Sequence, residues 1–187
     1  MNRMSFLSYR RLSVTCEAEI PESLQDTPIG SLLRYHNLEA PLKEPARAKL
    51  VIVMCMDHRK QLRIPNRFAF MLRTAGARIT DNEFKLSYPI AITGIRHVAL
   101  IGHTQCGMQG LETRREQFIS GLVETAGWDR ERASLHFDVN VARYAIPDAQ
   151  DFVRDEARRL SIDYPGVTFV PMIYQVEDFR LYLIPTS

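Results

Sequence analysis

The chain has little of what marks most specialised protein classes. Its 187 residues include three cysteines (Cys16, Cys55 and Cys106), one tryptophan, nine glycines and ten prolines. So sparse and odd a cysteine set excludes the disulfide framework of small secreted domains and points to a reducing, cytoplasmic setting. Glycine and proline are too scarce for a fibrous or low-complexity chain. No apolar run reaches membrane-spanning length, and Ser5, Ser8, Tyr9 and Arg10 break up the first residues before a signal-peptide core can form. Arg3, Arg10 and Arg11, with serines among them and no acid before Glu17, also give that stretch the composition of an organellar transit peptide, the minor reading. Nor is there an excess of one charge: 24 basic against 22 acidic residues leave +2, which excludes a strong electrostatic footprint for nucleic acid or an anionic membrane.

What is present is a set of short apolar runs. With 45% hydrophobic residues the chain can bury one well-formed core, so a single domain is expected. Residues 1–47 carry Pro21, Pro28, Pro41 and Pro45 and only one or two amphipathic helical turns in "SLLRYHNLEA", which reads as an N-terminal arm and not a domain of its own. From 48 to 187 the runs "KLVIVMCM" (49–56), "FAFMLRTAG" (68–76), "RHVALIGHT" (96–104) and "VTFVPMIYQ" (167–175) have strand length, and their nearly continuous apolarity predicts strands covered on both faces, as in a parallel sheet. "FRLYLI" adds a possible last strand. Helical signals lie between them: Asp81 as N-cap and Gly94 as C-cap of a segment that Pro89 should bend or interrupt, and a longer helix over "PDAQDFVRDEARRLSIDYPG", with a stripe of Phe152, Val153, Ala157 and Leu160. The expected fold is α/β: a mostly parallel central sheet of four to five strands flanked by helices, with the arm at its start.

In such sheets the functional crevice lies beyond the carboxyl ends of the strands. Cys55 stands at the end of the first strong strand, and "GHTQCG" (102–107) at the end of the third. Were these strands neighbours, their ends would lie about 5 Å apart, and Cys55, His103 and Cys106 could share one ion. Two thiolates and an imidazole suit Zn²⁺ and leave the fourth tetrahedral position open, as in catalytic zinc sites. Two thiolates also cancel the charge of the metal, so a nearby cation would help when an anion forms there. In extended chain Cys55, Asp57 and Arg59 point to one side, which makes Arg59 that cation.

"CMDHR", then "RTAG", then "GHTQCGM" resembles the β-class carbonic anhydrases, whose pattern is Cys-x-Asp-x-Arg, Arg-Asn-Ala-Gly and His-x-x-Cys-Gly; the match covers residues 50–108 in order. The resemblance implies zinc on Cys55, His103 and Cys106, with Asp57 and Arg59 as the paired catalytic residues beside it. It implies reversible hydration of CO2 to bicarbonate and a proton, and a homodimer or higher homo-oligomer with the arm on the partner. Asp57 would orient the attacking hydroxide and Arg59 would hold Asp57; the family also has forms in which the Asp swings onto zinc. Thr74 replaces the usual Asn, His58 a small residue, and Ala46 a common Gln, so the departures lie on the substrate side and not among the ligands. Related sequences with these ligands hydrolyse carbonyl sulfide or carbon disulfide, and a non-catalytic zinc-stabilised interaction protein is the alternative outside enzymes.

Other candidates have plainer readings. Cys16 lacks company and reads as an inert or surface thiol. His58 and His97 read as structural or exposed, and His36 and His136 carry no local signature. Arg73 suits a strand-end salt bridge, Gly76 a tight turn, and "ETRREQ" (112–117) a solvated helix face.

Overall fold

The computed structural model describes residues 11–186. Four of the apolar runs become strands β1 (Leu50–Cys55), β2 (Ala69–Thr74), β3 (His97–His103) and β4 (Thr168–Gln175), and the last run supplies β5 (Arg180–Leu183). Their order across the sheet is β2-β1-β3-β4-β5. The first four are mutually parallel, and β5 returns antiparallel to β4. All six residues of β1 are buried, as continuous apolarity requires of a strand covered on both faces. Alternation then sorts the side chains: Val51, Val53 and Cys55 face one core layer, whereas Leu50, Ile52 and Met54 face the other. The outer strand β2 is only half-buried.

Among the described residues six α-helices flank the sheet: α1 (Glu22–Gln25), α2 (Pro28–Asn37), α3 (Glu83–Thr93), α4 (Arg115–Ala126), α5 (Arg130–Tyr144) and α6 (Ala149–Asp163). The first layer is closed by α6, whose buried Val153, Ala157 and Leu160 come from the expected stripe. Asp148 caps it, its carboxylate accepting from the backbone N–H groups of Gln150 (2.8 Å) and Asp151 (3.1 Å). Gly102 of β3 lets this helix come close, since a Cβ there would lie 3.0 Å from the Ala149 carbonyl oxygen. The second layer is closed by α2, ten residues long and so more than the one or two turns expected. Thr27 caps it through Ile29 and Gly30, with Pro28 in its first turn. Ile29, Leu32 and Leu33, with Val14 and Ile20, cover the sheet of their own chain, and Leu12 pairs with Leu183 beyond β5. Residues 1–10, which begin the expected arm and carry Arg3 and Arg10, lie outside the described residues.

One local expectation differs from the structure. Asn82, not Asp81, precedes α3; Asp81 has φ 65 in the turn before it, and its carboxylate pairs with Arg143. The helix runs uninterrupted through Pro89, and Gly94 caps it at φ 70 as expected. Between β3 and α6 the chain forms a helical hairpin, α4 and α5, of which only the helix face at 112–117 is expected from the sequence. The exposed segment 112–117 opens it, and an Arg115–Asp138 ion pair of 2.7 Å ties the two helices.

Candidate metal centre

Strands β1 and β3 are neighbours, in register from Val51↔Val98 to Met54↔Ile101, so Cys55 and His103 end beside each other. Beyond His103 the chain reverses at Gln105, which takes φ 56, and Cys106 falls back toward Cys55. The reversal is braced from the next strand. Thr104 Oγ1 donates to Glu177 at 2.8 Å and accepts from the Val176 N–H at 2.9 Å, and the Gln105 amide donates to Glu177 at 2.6 Å.

The result is a buried triangle. The sulfurs of Cys55 and Cys106 are 4.0 Å apart, too far for a disulfide, and the ligand atoms of Cys55, His103 and Cys106 all lie within 4.8 Å of one another. Tetrahedral zinc, with bonds of about 2.3 Å to sulfur and about 2.0 Å to nitrogen, sets its donors roughly 3.5–3.8 Å apart, a slight contraction of this triangle. His103 Nδ1 lies 2.8 Å from the Thr104 carbonyl oxygen. Donation there fixes the tautomer that leaves a lone pair on Nε2, and Nε2 is buried with no hydrogen-bond partner. An orphaned imidazole nitrogen facing two thiols is what a soft divalent metal would satisfy, so the residues fit zinc. The two thiols share one hydrogen bond. It holds Cys55 well below the usual thiol range and pushes Cys106 up; a bound metal would take both as thiolates.

Asp57 and Arg59 meet the triangle by a different route from the one expected. The strand ends at Cys55, and instead of continuing extended, the chain turns at Asp57, whose Oδ1 accepts from the Arg59 N–H at 2.9 Å. The guanidinium then folds back on the carboxylate, with Nε donating to Oδ1 at 3.0 Å and Nη2 to Oδ2 at 2.8 Å. Arg59 is anchored in turn on the side-chain and backbone oxygens of Gln105, at 3.1 and 2.8 Å. This pairing holds Asp57 far below the ordinary carboxylate range. Its Oδ2 lies 4.0 Å from His103 Nε2, so Asp57 borders the triangle while remaining turned toward Arg59.

Lys60 is the residue that sequence reasoning missed. It is only 3% exposed, and its ammonium donates to the Cys55 carbonyl oxygen at 3.0 Å. Arg73 Nη1 reaches the same oxygen at 3.2 Å, so its partner is a backbone carbonyl and not the expected carboxylate. Burial pushes Lys60 down to about 8 against the opposing pull of the neighbouring anions. A lysine following an arginine in a polar loop gives no sequence signal of burial.

Beside the centre lies a cavity of about 500 Å³ lined by Met56, Thr74 and Met108 and by Phe118, Phe137 and Val141 of the helical hairpin. Gly76 turns this wall at φ 66, as expected of "RTAG", and the Thr74 hydroxyl is buried without a partner. The other candidates stay out of the centre. Cys16 and His58 are exposed. Burial pushes His97 down, His136 stacks on Phe118, and His36 binds the Phe179 carbonyl oxygen on the opposite layer. Among the described residues, no helix is long and apolar enough to cross a membrane.

No family model matches the chain. Over 139 residues it is 30% identical to β-carbonic anhydrase 1 of Mycobacterium tuberculosis, a match that spans 70% of this chain and 76% of that protein. Among solved structures, β-carbonic anhydrase isoform I of Trichomonas vaginalis superposes with a TM-score of 0.61 at 16% identity, over 84% of this chain and 95% of that one. The apo form of carbon disulfide hydrolase does so with a TM-score of 0.51 at 20% identity, over 73% and 78%. The structures establish a shared fold, and the extent and identity of the mycobacterial match carry the assignment further: the chain belongs to the β-carbonic anhydrase family, a family of zinc lyases.

Proposed function

We propose that the protein hydrates CO2 reversibly to bicarbonate and a proton, with zinc held by Cys55, His103 and Cys106. The convergence of three buried donors, one of them an orphaned imidazole nitrogen, carries this reading. Held there, zinc would supply a Lewis acid that makes water nucleophilic near neutral pH. The remaining roles belong to the chain. Thr104 holds His103 in the tautomer that binds metal. Asp57, kept ionised by Arg59, is an acceptor that fixes the direction of a donor placed beside the triangle. Because Arg59 engages both carboxylate oxygens, Asp57 is restrained from becoming a fourth ligand itself. The Gln105–Glu177 brace holds Arg59 in turn.

Metal analysis and stopped-flow CO2 hydration on one preparation test the proposal. One zinc per chain with rapid hydration is expected; full zinc occupancy without turnover from acid to alkaline pH sinks it. Hydrolysis of carbonyl sulfide or carbon disulfide is the second reading, supported by the apolar lining of the cavity, Met56 and Met108 among it. Sulfide release with negligible CO2 hydration would establish it.

We further infer a homodimer. Phe84, Tyr88 and Ile92 form one stripe along α3 and are 79%, 53% and 68% exposed, and α3 packs beside β2, the half-buried outer strand. An apolar stripe next to an open sheet edge suits a protein partner. Sedimentation should show a dimer that Phe84→Glu weakens; a monomer at high concentration contradicts it.

A further inference from the structure

Lys60 is a buried charge that the chemistry above does not use. Taking an ammonium out of water is costly unless a counter-charge or full hydrogen bonding offsets it, and among the described residues Lys60 forms no ion pair with a carboxylate and donates its one hydrogen bond to the Cys55 carbonyl oxygen. The same space would accept an uncharged side chain of equal length, so packing alone does not call for lysine. The surrounding charges explain it better. Cys55, Cys106 and Asp57 are three acids within one turn of chain and its neighbour. Arg59 is committed to Asp57 through both carboxylate oxygens. Two thiolates neutralise a divalent metal, and any anion at the open position then makes the centre negative. Arg73, the other cation on the Cys55 carbonyl, has an exposed side chain and is screened by solvent. Lys60 is not.

We propose that Lys60 is a positioning residue for anions: its buried ammonium, fixed on the carbonyl of a metal ligand, offsets the negative charge the centre acquires when an anion occupies the open coordination position. The inference rests on the zinc reading and deepens it, since bicarbonate is the anion that the proposed reaction produces and consumes. Through one residue's width of partly desolvated protein, a unit charge shifts anion affinity by roughly tenfold.

The test compares the zinc-loaded wild type with Lys60→Met, which keeps length and packing, and with Lys60→Arg, which restores the charge. Thiocyanate is titrated calorimetrically at constant ionic strength, and metal content and the melting temperature of the metal-free proteins are measured in parallel. Expected are thiocyanate binding weaker by about tenfold in Lys60→Met, recovery in Lys60→Arg, and a metal-free melting temperature in Lys60→Met equal to or above that of the wild type. Equal thiocyanate affinity in wild type and Lys60→Met, both at full zinc, overturns this inference alone. So does a lower metal-free melting temperature in Lys60→Met without recovery in Lys60→Arg, because Lys60 would then merely tie the loop to the strand. A wild-type chain that takes up no zinc overturns the zinc reading and this inference with it.

Discussion

The two faces of the sheet are built from the same strands and serve different ends. On one, Leu50, Ile52 and Met54 meet Ile29, Leu32 and Leu33, and the layer beneath the strands is apolar. On the other, the alternate residues Val51 and Val53 lead to Cys55, and the layer ends in thiols, an imidazole and an open cavity. A shift of one residue in the register of β1 would exchange the two, turning Cys55 toward α2. The chemistry of the centre therefore depends on the apolar face, which fixes the register without touching the ligands.

The widest separation of the faces should come from the ligands. Cys55→Ser or Cys106→Ser replaces a thiolate with a neutral hydroxyl, and zinc affinity should fall by several orders of magnitude. Cys16→Ser, at an exposed position, should leave metal content unchanged. Competition with a chromophoric chelator measures all three, and equal affinities would remove the proposed ligand set. Leu32→Ala should behave in the opposite sense. It opens a cavity under a fully buried residue and should cost about 2–5 kcal/mol of stability in urea, with one zinc per chain still bound to the folded fraction.

Within the reactive face, Asp57→Asn should separate metal binding from turnover. The shape is kept and the charge that Arg59 holds is removed, so zinc should remain while turnover falls by roughly 10²-fold or more. Arg59→Ala should resemble it, because Asp57 is then free to turn toward the triangle, 4.0 Å away. The double variant should lose less than the product of the two losses. Wild-type turnover in both single variants at full zinc would leave the pair a structural role only.

The sequence reveals these two faces unequally. Strand positions follow from continuous apolar runs, because nothing else buries a strand on both sides, and the spacing of Cys55, His103 and Cys106 with strand-end logic places the centre. Three things stay hidden. The turn at Asp57 replaces an extended chain, because a side-chain oxygen competing for the Arg59 N–H is a local choice that residue order only permits. Asp81 reads as the cap of α3, but its carboxylate pairs with Arg143, a tertiary contact that local sequence does not record, and Asn82 precedes the helix. The burial of Lys60 comes from the fold around a loop, which no periodicity in the loop records.

The smallest expected effect belongs to the apolar face, through its embedded imidazole. His36 is 6% exposed. Its Nε2 lies 2.9 Å from the Phe179 carbonyl oxygen, and Nδ1 accepts from the Arg63 N–H at 3.0 Å. One nitrogen must donate and the other accept, which only the neutral ring can do. Burial lowers its pKa below the ordinary 6.5, with Arg63 contributing in the same sense. In the window between the lowered folded value and the unfolded one, the unfolded chain binds more protons, so stability rises with pH and is lost as pH falls through that window. The dimension of the effect is one proton at one site, and it should appear as a urea midpoint that drops as pH is taken from about 8 to about 5.5. His36→Gln offers a donor and an acceptor that do not titrate. It should be less stable than the wild type at the upper pH, with one of the two hydrogen bonds strained or lost, yet show a shallower decline toward acid. Parallel declines in the two proteins would mean that the acid sensitivity arises elsewhere, with the thiol and carboxylate groups of the opposite face as the place to look.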